Sequence, residues 1–167
     1  MNVVLLGFMG TGKTTVARKL ASDSDYKFVD LDKEIVKLAG KSIPKIFAED
    51  GEKAFRDLES EVVKEISQKD DLVISTGGGV VLRDKNIDNL KENGILILLT
   101  ASAEEILART KNDDNRPLLK VESPLAKIKD MLKQRADKYD CTEHEIDTTE
   151  LSINQVVNKI KRIVKQA

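Results

Sequence analysis

A parallel sheet of five strands covered by helices on both faces, an α/β fold in three α/β/α layers, is the architecture this sequence predicts. Three observations carry it. Short apolar runs alternate with longer segments of helical period. Several of those runs are apolar at consecutive positions rather than at every second one, as strands covered on both sides are. The first run passes through a glycine-rich turn straight into a helix.

The strand candidates are NVVLLG (Asn2 to Gly7), KFVDLD (Lys27 to Asp32), DLVIST (Asp71 to Thr76), ILILLT (Ile95 to Thr100) and, more weakly, HEID (His144 to Asp147). Helix signals fill the intervals. Ser102 at the N-cap with Glu105 three residues on forms a capping box for SAEEILART. Asp84 is placed to cap KNIDNLKEN, and Gly94 to close it. In GEKAFRDLESEVVKEISQ, Phe55, Leu58, Val62 and Ile66 share one stripe, and Ile153, Val156, Val157, Ile160 and Ile163 do so in the tail. The segment from Lys111 to Ser123 stands apart: it is polar, contains a proline and lacks clear periodicity. There are no repeats, no low-complexity tracts and no linker, so residues 1–167 are expected to form one domain.

Composition removes several function classes. Lysine plus arginine number 28 against 29 aspartate plus glutamate, so no global field recruits nucleic acid or a membrane, and any anion site must be local. A single cysteine, Cys141, and a single histidine, His144, exclude an internal disulfide and supply no metal cluster. No apolar run approaches the length of a membrane span. MNVVLLG lacks the basic n-region of a signal peptide, so a cytoplasmic location is expected.

GFMGTGKT, Gly7 to Thr14, matches G-x-x-x-x-G-K-[ST] in full, with a strand before it and the helical TTVARKLA after it. Its glycines let successive amides turn inward around a phosphate, and the helix N-terminus adds partial positive charge. Lys13 can reach the terminal phosphates, and the Thr14 hydroxyl is placed to ligate Mg²⁺. This is a nucleoside triphosphate site. No aspartate stands three residues before any glycine, and NKIK at Asn158 lacks the aspartate that reads guanine, which argues against a GTP switch. A motor ATPase needs more chain, so a small-molecule kinase is the leading class.

An acceptor site must then come from elsewhere. Asp30 and Asp32 lie near the C-terminal end of the second strand, the edge where open parallel sheets bind ligands. One can hold Mg²⁺ through water and the other can accept from a substrate hydroxyl; the plain alternative is that Asp32 caps the next helix. In FRDLE, Glu59 can orient Arg56 from the same helical face, or the two can form an ordinary surface pair. Arg135 lies in a later helix, where a lone arginine is usually solvated. STGGGVV, Ser75 to Val81, sets three glycines in a row, which suits either a flexible turn or a backbone that something approaches closely.

Taken in order, these features resemble the shikimate kinase family: the P-loop, D-x-D after strand two, F-R-x-x-E, a strand ending in G-G-G, R-P-L (Arg116 to Leu118) and L-x-x-R-x-x-x-Y (Leu132 to Tyr139). The resemblance spans essentially the whole chain. It implies strand order 2-3-1-4-5, ATP-dependent phosphorylation of the 3-hydroxyl of shikimate, and Mg²⁺ as cofactor. Its nucleotide contacts fall on Gly10, Thr11, Gly12, Lys13, Thr14, Thr15, Arg109 and Arg116, and its acceptor contacts on Asp32, Arg56, Gly78 and Arg135. Thr14 would hold the metal directly and Asp30 through water. Lys13, Asp32 and Arg116 would be catalytic. Gly78 would meet the substrate through its backbone, and Phe47 and Phe55 either line its apolar side or pack in the core. The acceptor region covers about residues 32–62, and a lid over ATP about 111–123. Asp147 to Ser152 sits where the family contacts adenine, but lacks the basic residue or proline often found there. A monomer acting on two small substrates is expected, with no nucleic-acid or membrane partner.

Overall fold

The computed structural model describes residues 1–113 and 119–167. Five strands, β1 (Asn2–Leu6), β2 (Lys27–Asp30), β3 (Leu72–Ser75), β4 (Gly94–Thr100) and β5 (Glu145–Asp147), form one parallel sheet in the order β2-β3-β1-β4-β5. β1 lies in the middle, with Val4 opposite Ile74 on one side and Leu96 on the other. Among the described residues the helices are α1 (Lys13–Ser22), α2 (Leu31–Ala39), α3 (Ile43–Ser67), α4 (Asp84–Glu92), α5 (Ala103–Thr110), α6 (Pro124–Tyr139) and α7 (Ile153–Gln166). None is long and apolar enough to cross a membrane.

The consecutive apolar residues of the central strands serve two cores. Side chains alternate across a strand, so Val3 and Leu5 face one layer and Val4 and Leu6 the other. The first layer is α1 and α7, through Val16, Leu20, Val156 and Ile160. The second is α2 to α6, through Ile35, Val63, Leu90, Ile106 and Ile128.

Three local expectations differ from what forms. β2 stops at Asp30, whose extended backbone and carboxylate cap α2 by accepting from the Asp32 amide (3.1 Å). The cap is therefore Asp30, and Asp32 lies in the first helical turn. Asp84 does not cap α4: the helix starts one residue early, out of a 3₁₀ turn at Val80–Leu82, and the Asp84 carboxylate accepts from Lys138 (2.8 Å). Ser102 does cap α5, but Glu105 turns to Arg109 (2.9 Å) instead of closing the box. A complete capping box forms instead on α7, between Ser152 and Gln155. Gly94 does follow the end of α4, and its reason is space: a Cβ there would lie 2.6 Å from the Leu90 carbonyl and 2.9 Å from Val4.

α3 is interrupted at Gly51 (φ 85°, ψ 171°), which splits the Phe47 arm from the Arg56 arm. That backbone region belongs almost wholly to glycine. Gly51→Ala, with open space around its Cβ, is expected to lower stability by about 1–3 kcal/mol through backbone strain alone, read as a shift in the urea midpoint.

Candidate active site

β1 and β3 are neighbours, so the loops after them emerge side by side. The Thr76 amide and hydroxyl both donate to the Leu5 carbonyl (3.3 and 2.9 Å), which continues the pairing one residue beyond the sheet. The first loop, Gly7 to Gly12, turns through left-handed backbone at Gly7, Gly10 and Gly12 (φ 144°, 78° and 95°). No side chain caps α1 at Gly12, so its first amides are left open toward a ligand. Gly10 is also a close approach, since a Cβ there would lie 2.7 Å from the Thr110 methyl. The Thr11 hydroxyl braces the loop by donating to the Phe8 carbonyl (2.8 Å). Lys13 is buried, with its ammonium donating to the Gly7 and Phe8 carbonyls (2.7 and 2.9 Å). Thr14 and Ser75 hydroxyls lie 3.1 Å apart at the floor.

These groups open onto a cleft of about 370 Å³ lined by Gly10, Lys13, Thr14, Asp32, Gly77 and Gly78 among others. A second cavity of about 220 Å³ shares Gly12, Thr15 and Arg109 with it, and adds Thr148 and the apolar Leu151 and Ile153. Arg109 binds the walls together: its guanidinium donates to the Thr148 hydroxyl and carbonyl (both 3.0 Å), to Glu105 (2.9 Å) and to the Gly10 carbonyl (3.3 Å).

Opposite the phosphate loop, α2, α3 and α6 converge on the glycine turn. A Cβ on Gly77 would stand 3.0 Å from an Asp32 carboxylate oxygen and 3.3 Å from Glu59. On Gly79 it would run into the Arg56 guanidinium. Gly78 is the contact with the other loop, 3.4 Å from the Met9 amide by the same measure. The Gly78 carbonyl accepts from Tyr139 (2.7 Å) and, weakly, from Arg135 (3.4 Å), whose guanidinium lies over the Phe8 ring.

Arg56 is held by Glu59 (2.9 Å) and stacks over Phe55, which packs in turn on the half-exposed Phe47. Its buried Nε has no hydrogen-bond partner among the described residues, Glu52 coming only within 3.6 Å. Such an orphaned donor is rare without a ligand to meet it. Burial pushes the Glu59 carboxyl above its ordinary value; Arg56 pulls it back and Asp32 pushes it up again.

Of the residues expected from sequence, Asp32, Arg56, Gly78 and Arg135 gather around the glycine turn, and Gly10 to Thr15 and Arg109 gather around the cradle. Asp30 does not line the cleft; it is occupied with the α2 cap. Arg116 lies outside the described residues. Sequence reasoning passed over Arg83, which donates to the Arg56 carbonyl (3.0 Å) and the Ser60 hydroxyl (3.3 Å) and pairs with Asp57 (2.8 Å). No local pattern marks it, because its partners lie more than a helix away along the chain. Ser75 closes a strand and reads only as strand.

A phosphate cradle on a parallel sheet, facing a compact site with two arginines and a carboxylate, defines a P-loop kinase of a small anionic acceptor. The shikimate kinase family model matches residues 9–165. The shikimate kinase of Pelotomaculum thermopropionicum is 48% identical over 99% of this chain and 96% of its own. Among solved structures, a shikimate kinase from Acinetobacter baumannii in complex with shikimate superposes with a TM-score of 0.93 at 39% identity, covering 99% of this chain and 93% of that one. One from Bacteroides thetaiotaomicron gives 0.88 at 27%, covering 99% and 97%. The chain belongs to the shikimate kinase family.

Because Glu59 has its proton affinity raised in the folded state, its ionisation costs stability, and that cost appears as pH rises above the ordinary carboxylate range. Arg56→Ala removes the group that offsets it. The variant is expected to lose about 3 kcal/mol at pH 8, and clearly less near pH 5, where Glu59 can take up a proton. Urea unfolding of both proteins at the two pH values checks this; an equal loss at both would show that Glu59 takes up no proton between them when Arg56 is absent.

Proposed function

We propose that the cleft between the P-loop and the glycine turn is where this chain carries out the ATP-dependent phosphorylation of the 3-hydroxyl of shikimate. The products are shikimate 3-phosphate and ADP, in the pathway to chorismate and the aromatic amino acids. One observation carries the placement: Arg56 and Arg135, from different helices, both reach the turn whose other side touches the phosphate loop. A carboxylate held there by two planar donors would set a small ring directly against the γ-phosphate.

In this reading the amides of Gly10 to Thr15 cradle the phosphates, and Lys13 leaves its loop carbonyls for the β- and γ-oxygens. The nucleoside occupies the cavity between Arg109 and Leu151. Arg56 and Arg135 grip the carboxylate of shikimate, and Asp32 orients the 3-hydroxyl and accepts its proton. As the hydroxyl oxygen bonds to the γ-phosphorus, the bond to the bridging oxygen breaks and ADP leaves with that electron pair. Most of the acceleration comes from alignment and charge neutralisation rather than covalent help from the protein.

The donors at the cradle floor fit Mg²⁺. They are hard oxygens, and among the described residues no cluster of three His, Cys, Asp or Glu could cage a metal, which is the pattern for an ion held mainly by phosphates and water. Thr14 would hold it directly; Asp30 stands behind the cleft wall, and only its carboxylate oxygen outside the α2 cap would reach the ion, through water. The bound ion would neutralise phosphate charge. The reading extends to one domain over residues 1–167, with acceptor region 32–62 and lid 111–123, acting as a cytoplasmic monomer. The near balance of 28 basic and 29 acidic residues supports partners limited to the two small substrates.

ADP release measured with Mg-ATP and shikimate, gluconate, AMP or no acceptor is expected to depend on shikimate. Arg56→Ala should raise its KM by about 100-fold, the scale of a lost charge-assisted contact. Release with another acceptor alone would move the assignment. Arg116→Ala is expected to lower kcat by about 10³ with little effect on shikimate KM, as for an arginine meeting the transferring group; an unchanged kcat removes Arg116 from the chemistry.

A further inference from the structure

One buried hydroxyl next to the site has no part in the steps above. Tyr139 closes α6 with 8% of its surface exposed and its ring in the core shared with Phe8, Val80 and Ile128. Its hydroxyl reaches across 61 residues of chain to donate to the Gly78 carbonyl at 2.7 Å. Four residues earlier, one turn away on the same helix face, Arg135 donates to that same oxygen at 3.4 Å, close to the limit for a hydrogen bond. Burial raises the affinity of the phenol for its proton, so it remains a donor at neutral pH.

The two donors are unequal, and the inequality is informative. The Gly78 carbonyl is partly buried at the edge of the cleft, and the short Tyr139 bond keeps it supplied with a donor. Arg135, which also meets the Tyr139 hydroxyl, can then turn its fork toward an arriving carboxylate without orphaning the Gly78 oxygen. The same bond fixes the spacing between α6 and the glycine turn, and so the height of the Arg135 guanidinium above the Phe8 ring.

We infer that Tyr139 is a positioning residue for the acceptor: by holding the Gly78 carbonyl it releases Arg135 to bind the carboxylate and sets where that arginine stands. The inference rests on the proposed role of Arg135 as half of the carboxylate grip. Without the phenol hydroxyl, Gly78 would compete with the substrate for the arginine. The expected defect is in acceptor binding, not in nucleotide binding or phosphoryl transfer.

Tyr139→Phe keeps the ring and removes only the hydroxyl, and thermal unfolding verifies that the variant folds. Steady-state kinetics with Mg-ATP and shikimate would be measured for it, for Arg135→Ala and for the double variant. Tyr139→Phe is expected to raise shikimate KM about five- to tenfold, with kcat and ATP KM within about twofold, as for the loss of one hydrogen bond. The double variant should match Arg135→Ala, because a residue acting through Arg135 has nothing left to position. A structural role alone would raise both KM values together or add to the Arg135→Ala defect, and either result overturns the inference. So does a silent Tyr139→Phe beside an impaired Arg135→Ala, which would leave the carboxylate grip standing. An Arg135→Ala variant with normal shikimate KM would overturn the grip and the inference together.

Discussion

Backbone contact between the loops that follow β1 and β3 is the constraint on which the cleft depends. Neighbouring parallel strands deliver their C-terminal loops to one edge, and Thr76 prolongs their pairing past the sheet. The phosphate loop and the glycine turn then pass close enough that a Cβ on Gly78 would touch the Met9 amide. The phosphate loop and the glycine turn become two sides of one interface. Their relative placement is largely a property of the β1–β3 register, which both cores lock from opposite faces. A one-residue slip of that register would exchange Val4 for Val3 in the larger core and take both loops with it.

Electrostatics builds on that frame by keeping charges buried and unequal. Glu59 is 1% exposed and its charge is costly there. Its partner Arg56 donates one bond to Glu59, lies over the Phe55 ring, and has its own carbonyl anchored by Arg83. What remains is an Nε with no acceptor among the described residues. A buried ion pair of this kind is weak support for stability. It makes better sense as a means of holding a guanidinium rigid while leaving part of it unsatisfied.

Much of this was legible in the sequence, for identifiable reasons. Strands buried on both faces write themselves as unbroken apolar runs, so β1, β3 and β4 were plain, and the P-loop carries its own geometry. β2 and the helix caps were less so, because a cap is decided by where one residue leaves the helical region. Asp30 and Asp32 are equally good caps on paper, and the extended backbone of Asp30 chose between them. Strand order came from family resemblance, since periodicity is silent on which strands are neighbours. Arg83 was invisible for the same reason: its partners on α3 are brought to it only by folding. The gathering of Arg56 and Arg135 could be read only from the joint order of weak motifs.

The three consecutive glycines show how far a short pattern can be resolved once the structure is present. They differ in what surrounds them: Gly77 makes room for the Asp32 carboxylate and Gly79 for the Arg56 guanidinium, while a Cβ on Gly78 would make only ordinary contacts with the other loop. A methyl group on Gly79 would displace the Arg56 guanidinium, and one on Gly77 would crowd the Asp32 carboxylate. The entropy lost in ordering such a flexible triplet is a cost of folding. It is offset by neighbours that grip the turn from several sides, the Tyr139 hydroxyl on the Gly78 carbonyl among them. The turn is therefore held in place despite its composition, and helices from distant parts of the chain bring the Asp32, Arg56 and Arg135 side chains to it.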